Sequence, residues 1–265
     1  MSADRELLPD IIAAVQTAGA RLRKRFDIGS RPEDLSEIVA ALRTNDTAVL
    51  ELLRPALETV RPGAGWVEDE LEGGALPDGE WWVIDPAEGN INHVHAMTEW
   101  SVTATLVRDN EPVVTVVHLP LTEDTYTAIR GEGAYLNDVR LHTSNKSQLN
   151  SALVGTGQAK PAETTETLHC IGRSVTAMLE NALVTRVSVP ATMQLIQVAA
   201  GRMDVFWQHS DVRSGLVAGA LLVTEAGGTV TDIAGNPWSA ASPDLLAAAP
   251  ALHAAAVEVL TEALR

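Results

Sequence analysis

The densest group of chemically competent side chains lies at Asp85-Pro86-Ala87-Glu88-Gly89-Asn90. Carboxylates at positions i and i+3, at a strand end before a glycine turn, can converge on one hard cation. The backbone carbonyl of Ala87 between them can add a third oxygen. Upstream, Glu68-Asp69-Glu70 offers a second carboxylate group. Both stretches also read as solvated loops of an acidic protein, and spacing alone does not decide between the two.

The segments that must carry these residues show clear periods. Residues 81–84 are a short apolar run, which predicts a strand that ends at Asp85-Pro86. Residues 101–107 and 112–118, joined at Asp109-Asn110, read as a hairpin. Residues 125–129 and 134–136 flank a turn at Gly131 and Gly133, so this region is expected to be an antiparallel meander. Upstream, Leu8, Ile11, Ile12, Val15, Leu22 and Phe26 recur at helical spacing over about residues 5–27. A second helix is expected over about residues 46–60, with Val49, Leu50, Leu53 and Leu57 on one face and Pro55 awkwardly inside it. From Ser151 the pattern changes to strands at 152–154, 205–207 and 229–232. These alternate with helices at 191–200, 216–226 and 250–264, the second of which is stopped by Gly227-Gly228. The stretch 144–148 is the expected boundary, giving an α+β half with an antiparallel sheet over residues 1–146 and an α/β half over residues 147–265.

Composition bounds the function. The chain has 265 residues, 46% hydrophobic and 20% charged, which suits a packed core. Lys and Arg number 19 against 35 Asp and Glu, a formal charge of -16. Such a surface repels phosphate backbones, so no nucleic-acid partner is expected. No apolar run is long enough to span a membrane. The start, MSADRELLPD, lacks the basic and apolar regions of a signal peptide, and a cytoplasmic location is expected. Cys170 is the only cysteine, which excludes an internal disulfide and Cys–Cys metal sites; it reads as an inert thiol.

Several motifs in order bring a family resemblance. Trp82-Val83-Ile84-Asp85-Pro86-x-x-Gly89-x-x-Asn92 resembles the W-x-I-D-P-x-D-G-T-x-N-F signature of the inositol monophosphatase family. Gly131-x-Gly133-Ala134-Tyr135-Leu136-Asn137 is similar to its G-x-G-A-x-x-N turn. Gly201-Arg202-Met203-Asp204, Glu225-Ala226-Gly227-Gly228 and Asp232-x-x-Gly235-Asn236-Pro237-Trp238 are similar to three further family motifs. The resemblance implies a layered αβαβα sandwich, magnesium-dependent phosphomonoesterase ancestry, and a homodimer formed through the sheet-bearing halves.

The positions that the family uses for chemistry depart from that pattern. The family's metal-binding Glu is the shorter Asp69, beside Glu68. The first signature Asp is kept as Asp85, the second is Glu88, and the Thr that helps to position the attacking water is Asn90. The last ligand, an Asp at a helix start, falls on Gly215, with Asp211 as the one substitute if its segment is helical. The signature's closing Phe is His93. An acidic substrate contact is Gln208, and the G-S-A turn reads Val189-Pro190-Ala191. The early loop keeps only Thr44 and Asp46 of a V-T-x-x-D element. By resemblance, Asp69, Asp85, the carbonyl of Ala87 and Glu88 would hold at most one magnesium ion, weakly or not at all. Gly89, Val189, Pro190, Ala191, Gln208, Asp211 and Gly215 would line the substrate pocket.

Three readings follow. The first is a repurposed member acting on a small polar or phosphorylated metabolite in a biosynthetic pathway. It would use acid–base chemistry through Asp69, Glu88, Asn90 and His93. The second is a divergent magnesium-dependent phosphomonoesterase of a sugar or inositol phosphate. The third is a non-catalytic binding or regulatory module. In the first reading Glu88 faces His93 and raises its pKa; otherwise His93 merely fills an aromatic's space. His95, His118, His169 and His253 read as structural or surface residues, and His209 sits beside Gln208 at the pocket rim.

Overall fold

The computed structural model describes residues 3–29, 31–68 and 73–265. Apolar spacing of three and four builds α1 (Ala3–Arg23), which buries Ile11, Ala14, Val15, Ala18, Gly19 and Leu22. The next helix, α2 (Leu35–Val60), contains Pro55 and begins well upstream of residue 46, where its apolar period predicts a start. Its beginning is set by a cap rather than by the core. Asp34 Oδ1 accepts the Glu37 backbone N–H at 2.9 Å, and Glu37 Oε2 accepts the Glu33 N–H at 2.8 Å. The expected early loop is therefore largely helical, and Thr44 and Asp46 lie in mid-helix.

The meander follows. β1 (Gly65–Trp66), β2 (Glu80–Glu88), β3 (Ser101–Arg108), β4 (Glu111–Leu119), β5 (Asp124–Ile129), β6 (Gly133–Leu136) and β7 (Val139–Arg140) form one sheet in sequential order. Only the β1–β2 pair is parallel. A short helix, α3 (Asn90–Val94), leaves the end of β2. The predicted β3–β4 hairpin is present, with Asp109 and Asn110 both at positive φ, the backbone that a tight hairpin turn requires.

The rest of the chain comprises β8 (Leu153–Thr156), α4 (Thr165–Asn181), β9 (Val184–Val187), α5 (Ala191–Ala199), β10 (Val205–Gln208), α6 (Arg213–Glu225), β11 (Thr229–Thr231), β12 (Leu245–Ala248) and α7 (His253–Ala263). Its sheet runs β11-β12-β10-β8-β9, parallel across β10-β8-β9 and antiparallel at β12.

Contacts define five layers. α1 and α2 cover one face of the first sheet, and α6 lies on the other with α5 against it. α5 and α6 also pack on the second sheet, whose far face carries α4 and α7. This is the αβαβα sandwich that the resemblance implies. Among the described residues four apolar clusters fill the spaces between the layers, and the one around α5 and α6 carries Leu195, Phe206, Leu216 and Leu222.

Two of the motifs prove to be one structural joint. Glu225, at the end of α6, accepts the N–H groups of Gly131 and Gly133 at 2.7 and 2.8 Å. The E-A-G-G helix end thus holds the G-x-G turn of the first sheet. Asp204 is similarly occupied, accepting from Ser144, Lys146 and the Leu153 N–H. Replacing Glu225 with Ala strips two turn amides of a charged acceptor. The expected cost is about 2 kcal/mol, seen as a melting temperature lower by several degrees. An unchanged melting temperature would show that solvent serves these amides equally well.

Candidate functional site

β2 does not stop at Asp85. Asp85 pairs with Thr103 and Glu88 with Ser101, so Pro86 and Ala87 together oppose a single residue of β3. This bulge suits a proline, which has no N–H to give to the ladder. Asp85 is buried, and its Oδ1 accepts the Ala87 N–H at 3.0 Å. Gly89 follows at φ +83, where a Cβ would stand 2.6 Å from the Glu99 carbonyl oxygen, so only glycine fits this turn.

The bulge aims Glu88 into the centre of the molecule, where it is 5% exposed. Its Oε1 accepts the Thr192 N–H at 3.2 Å, in the first turn of α5. A Cβ built on Gly215 would lie 3.5 and 3.7 Å from the two Glu88 carboxylate oxygens. Gly215 is in the first turn of α6, and its carbonyl accepts the Thr192 hydroxyl at 2.9 Å. Neither helix has a side-chain cap of its own. A Cβ at 215 would thus be in ordinary contact with the Glu88 carboxylate, and an Asp there would bring a second carboxylate beside it. Val189-Pro190-Ala191 closes the same space. Pro190 Cγ lies 2.9 Å from the Cβ position of Gly89, and Asn92 Nδ2 donates to the Val189 and Glu99 carbonyls at 3.0 and 2.8 Å.

Asn90 faces α2. Its Nδ2 donates to Asp46 Oδ1 at 2.7 Å and to the Leu42 carbonyl at 3.0 Å, and its Oδ1 accepts from Asn45 Nδ2 at 2.8 Å. Burial pushes the Asp46 carboxyl up to about 6 against the opposing pull of the Asn90 amide. Asn45 also meets His93 Nδ1 at 3.0 Å, and His93 Nε2 meets the Leu22 carbonyl at 3.2 Å. A carbonyl only accepts, so His93 carries its proton on Nε2 and accepts from Asn45 at Nδ1. Its ring stands edge-on to Phe26 and Trp100, with centroids 5.3 and 4.9 Å away.

These contacts correct the expectation that Glu88 faces His93 and raises its pKa. Glu88 turns to α5, and burial holds the His93 ring below its ordinary value. The helical condition set for Asp211 also fails, because α6 begins at Arg213 and Asp211 pairs with Lys160 at 2.6 Å. Gln208, buried at the end of β10, packs its Oε1 on Gly157 with no hydrogen-bond partner for that atom. Burial drives the neighbouring His209 down to about 4. Asp69 lies outside the described residues; the preceding Glu68 binds Arg54 at 2.6 Å.

Asn45, Asp46 and Thr192 were not singled out as a hub by the spacing of the motifs. Asn45 had a signal, since it precedes Val49 and Leu53 by steps of four and so places an amide on the apolar stripe of α2.

Among the described residues, no three His, Cys, Asp or Glu side chains gather as a ligand set. The fit to magnesium is therefore partial. Asp85 and Ala87 stand together in the bulge for one cation. At the position of a second, Gly215 has no ligand atom in its side chain, and Glu88 is bonded to α5. A cavity of about 410 Å³ opens beside this bulge, lined by Asp46, Arg54, Glu68 and Pro86 among others.

Two predictions follow from this geometry. A carboxyl whose folded pKa is raised binds more protons when folded, so its contribution falls as pH rises from about 4 to 6. Asp46→Asn should flatten that window and be more stable than the parent at neutral pH; denaturant melts across pH check this, and a less stable variant would contradict it. His93 has the opposite sign. Its contribution is full above about pH 6.5 and is lost as pH falls below it. His93→Phe should cost about 1–3 kcal/mol at neutral pH through the unpaired Leu22 carbonyl and Asn45 amide, and should lessen the acid-side loss. An equally stable variant with the same pH profile would remove His93 from the network.

Comparison with known proteins agrees with the fold and the motifs. The family model described as the inositol monophosphatase family matches residues 4–265. An inositol-1-monophosphatase of Rhizobium meliloti is 32% identical over 238 residues, covering 87% of this chain and 86% of the relative. A Nus factor SuhB of Pseudomonas aeruginosa is 31% identical over 233 residues, covering 85% of this chain and 84% of the relative. The structure of an inositol monophosphatase from Anabaena superposes with a TM-score of 0.83 at 24% identity, covering 99% of this chain and 97% of the other. With the sandwich, the bulged signature strand and the Glu225 joint all in place, the chain belongs to the inositol monophosphatase family.

Proposed function

We propose that this family member binds a small polar or phosphorylated metabolite at the signature turn and acts on it without two-cation phosphate hydrolysis, as a repurposed enzyme of a biosynthetic pathway. The observation behind this reading is the seat of Glu88, hydrogen-bonded to the Thr192 N–H and lying against Gly215, which has no side chain to hold a cation. Two-metal hydrolysis needs cations about 3.5–4 Å apart that clamp both the attacking and leaving oxygens. One ion at Asp85 and the Ala87 carbonyl, with Asp69, would be held weakly, because magnesium demands a near-octahedral ligand set. The relatives named inositol-1-monophosphatase support the phosphorylated class of ligand.

Acid–base work in this reading passes from His93 to Asp46. The Asp46 carboxyl lines the cavity beside the bulge and titrates at about 6, within reach of a physiological proton exchange. Asn90 holds that carboxylate in place. Arg54, held by Glu68 and lying over the Trp66 ring at 4.9 Å, brings positive charge to the same wall. We further propose a homodimer and a cytoplasmic location. The family resemblance supports the dimer; the exposed Leu168 and Leu179 on α4, Leu183 after it, and Val184 and Val187 on the edge strand β9 offer an apolar face on the α/β half. No helix among the described residues is long and apolar enough to cross a membrane.

The test is reversal. The parent protein, assayed with excess magnesium against sugar and inositol phosphates, should release little phosphate. The triple variant Gly215→Asp, Glu88→Asp, Asn90→Thr should gain activity, while Gly215→Asp alone should not, because Glu88 stays bonded to the Thr192 N–H and groups that act as a unit are not additive. Robust magnesium-dependent release by the parent would establish the divergent phosphomonoesterase instead.

A further inference from the structure

Asn45 also lines a cavity of about 390 Å³, between the end of α1 and the start of α2. Arg25 and Arg31 line it, Asn45 and His93 form its floor, and Asp27 and Glu37 stand among its walls. Arg25 Nε donates to Asn45 Oδ1 at 2.8 Å, and Arg31 Nε to the His95 carbonyl at 3.4 Å. Among the described residues neither guanidinium is ion-paired with a carboxylate. The two acids are turned to their own loops, Asp27 accepting the Gly29 N–H and Glu37 the Glu33 N–H, each at 2.8 Å.

The cavity lining sets two guanidiniums against two carboxylates and is neutral overall, in a chain that is strongly acidic. Residues 21–31 hold Arg21, Arg23, Lys24, Arg25 and Arg31 with Asp27 as the only acid, in a protein of net charge -16. Two guanidiniums on one polar cavity, each using only Nε on a protein partner, leave their forked outer nitrogens for an oxyanion. That fork matches phosphate geometry. The Asp27 and Glu37 carboxylates keep lone pairs for hydroxyl donors.

We propose that this cavity is an anion-binding site for the phosphoryl group of a small polyhydroxylated metabolite, separate from the signature turn. It fits the size range of small-molecule pockets. It does not depend on the reading of the catalytic chemistry. Arg25 also holds Asn45, which bonds Asn90, so the site shares one wall with the network that grips the signature turn.

The test titrates the full chain with inorganic phosphate, without divalent metal, by calorimetry and by amide shifts in NMR spectra. Saturable binding is expected, with shifts centred on Arg25, Arg31 and Glu37. Arg31→Gln, which removes a single hydrogen bond to the His95 carbonyl, should weaken it about tenfold, and adding Arg25→Gln should abolish it. The control Arg21→Gln with Lys24→Gln removes the same charge outside the cavity and should change affinity less than about twofold. Absence of saturable binding would overturn the proposal. So would shifts confined to Gly89 and Thr192, or an equal loss in the control.

Discussion

The Glu88 carboxylate sits where two helix starts meet. It accepts the Thr192 N–H in the first turn of α5 and lies against Gly215 in the first turn of α6. Helix starts present unsatisfied N–H groups and a partial positive charge, and they favour an anion. Neither helix brings one from its own cap. An internal carboxylate on the signature strand supplies it, and this contact, with the Glu225 joint, links the first sheet to the central helices. The added methylene of Glu and the absence of a side chain at 215 are complementary, since without a cation between them a carboxylate at both positions would crowd two negative charges into one buried space. The two changes read as a matched pair.

A second constraint surrounds α2. Asn45 is 3% exposed and spends its amide on Arg25, Asn90 and His93. Its bonds fix the orientation of the Asn90 amide and the tautomer of His93. The family's aromatic position thus carries a histidine that still packs like an aromatic, against Phe26 and Trp100, while its nitrogens tie α1 to α2. Asp46 is the member of this network with its charge under strain. Burial raises its pKa, and a carboxylate kept at that cost on a cavity wall is a reasonable place for proton transfer.

Much of the architecture was legible because it rests on period and turn chemistry. The α1 stripe, the Asp109-Asn110 hairpin and the glycine-marked motifs each have a local cause. α4 was not legible, because it buries only Ser174 and Met178 and so carries little of an apolar stripe. β12 is Leu-Leu-Ala-Ala, a run too short to tell strand from helix. β9 is a mostly exposed edge strand with no alternation to read. The early start of α2 depended on the Asp34 cap rather than on the core. In the site, the loss at Gly215 and the change at Glu88 could be read from motif counting. Their contact could not, because residues 88, 192 and 215 are brought together only by the packing of α5 and α6 against the first sheet.

The most direct measurement is a crystal structure grown with a high concentration of manganese, with anomalous scattering to locate the ions. The account predicts at most one peak, beside Asp85 and the Ala87 carbonyl, with Glu88 still bonded to the Thr192 N–H. Two peaks about 3.5–4 Å apart, with Glu88 turned away from α5 to bind one of them, would contradict it.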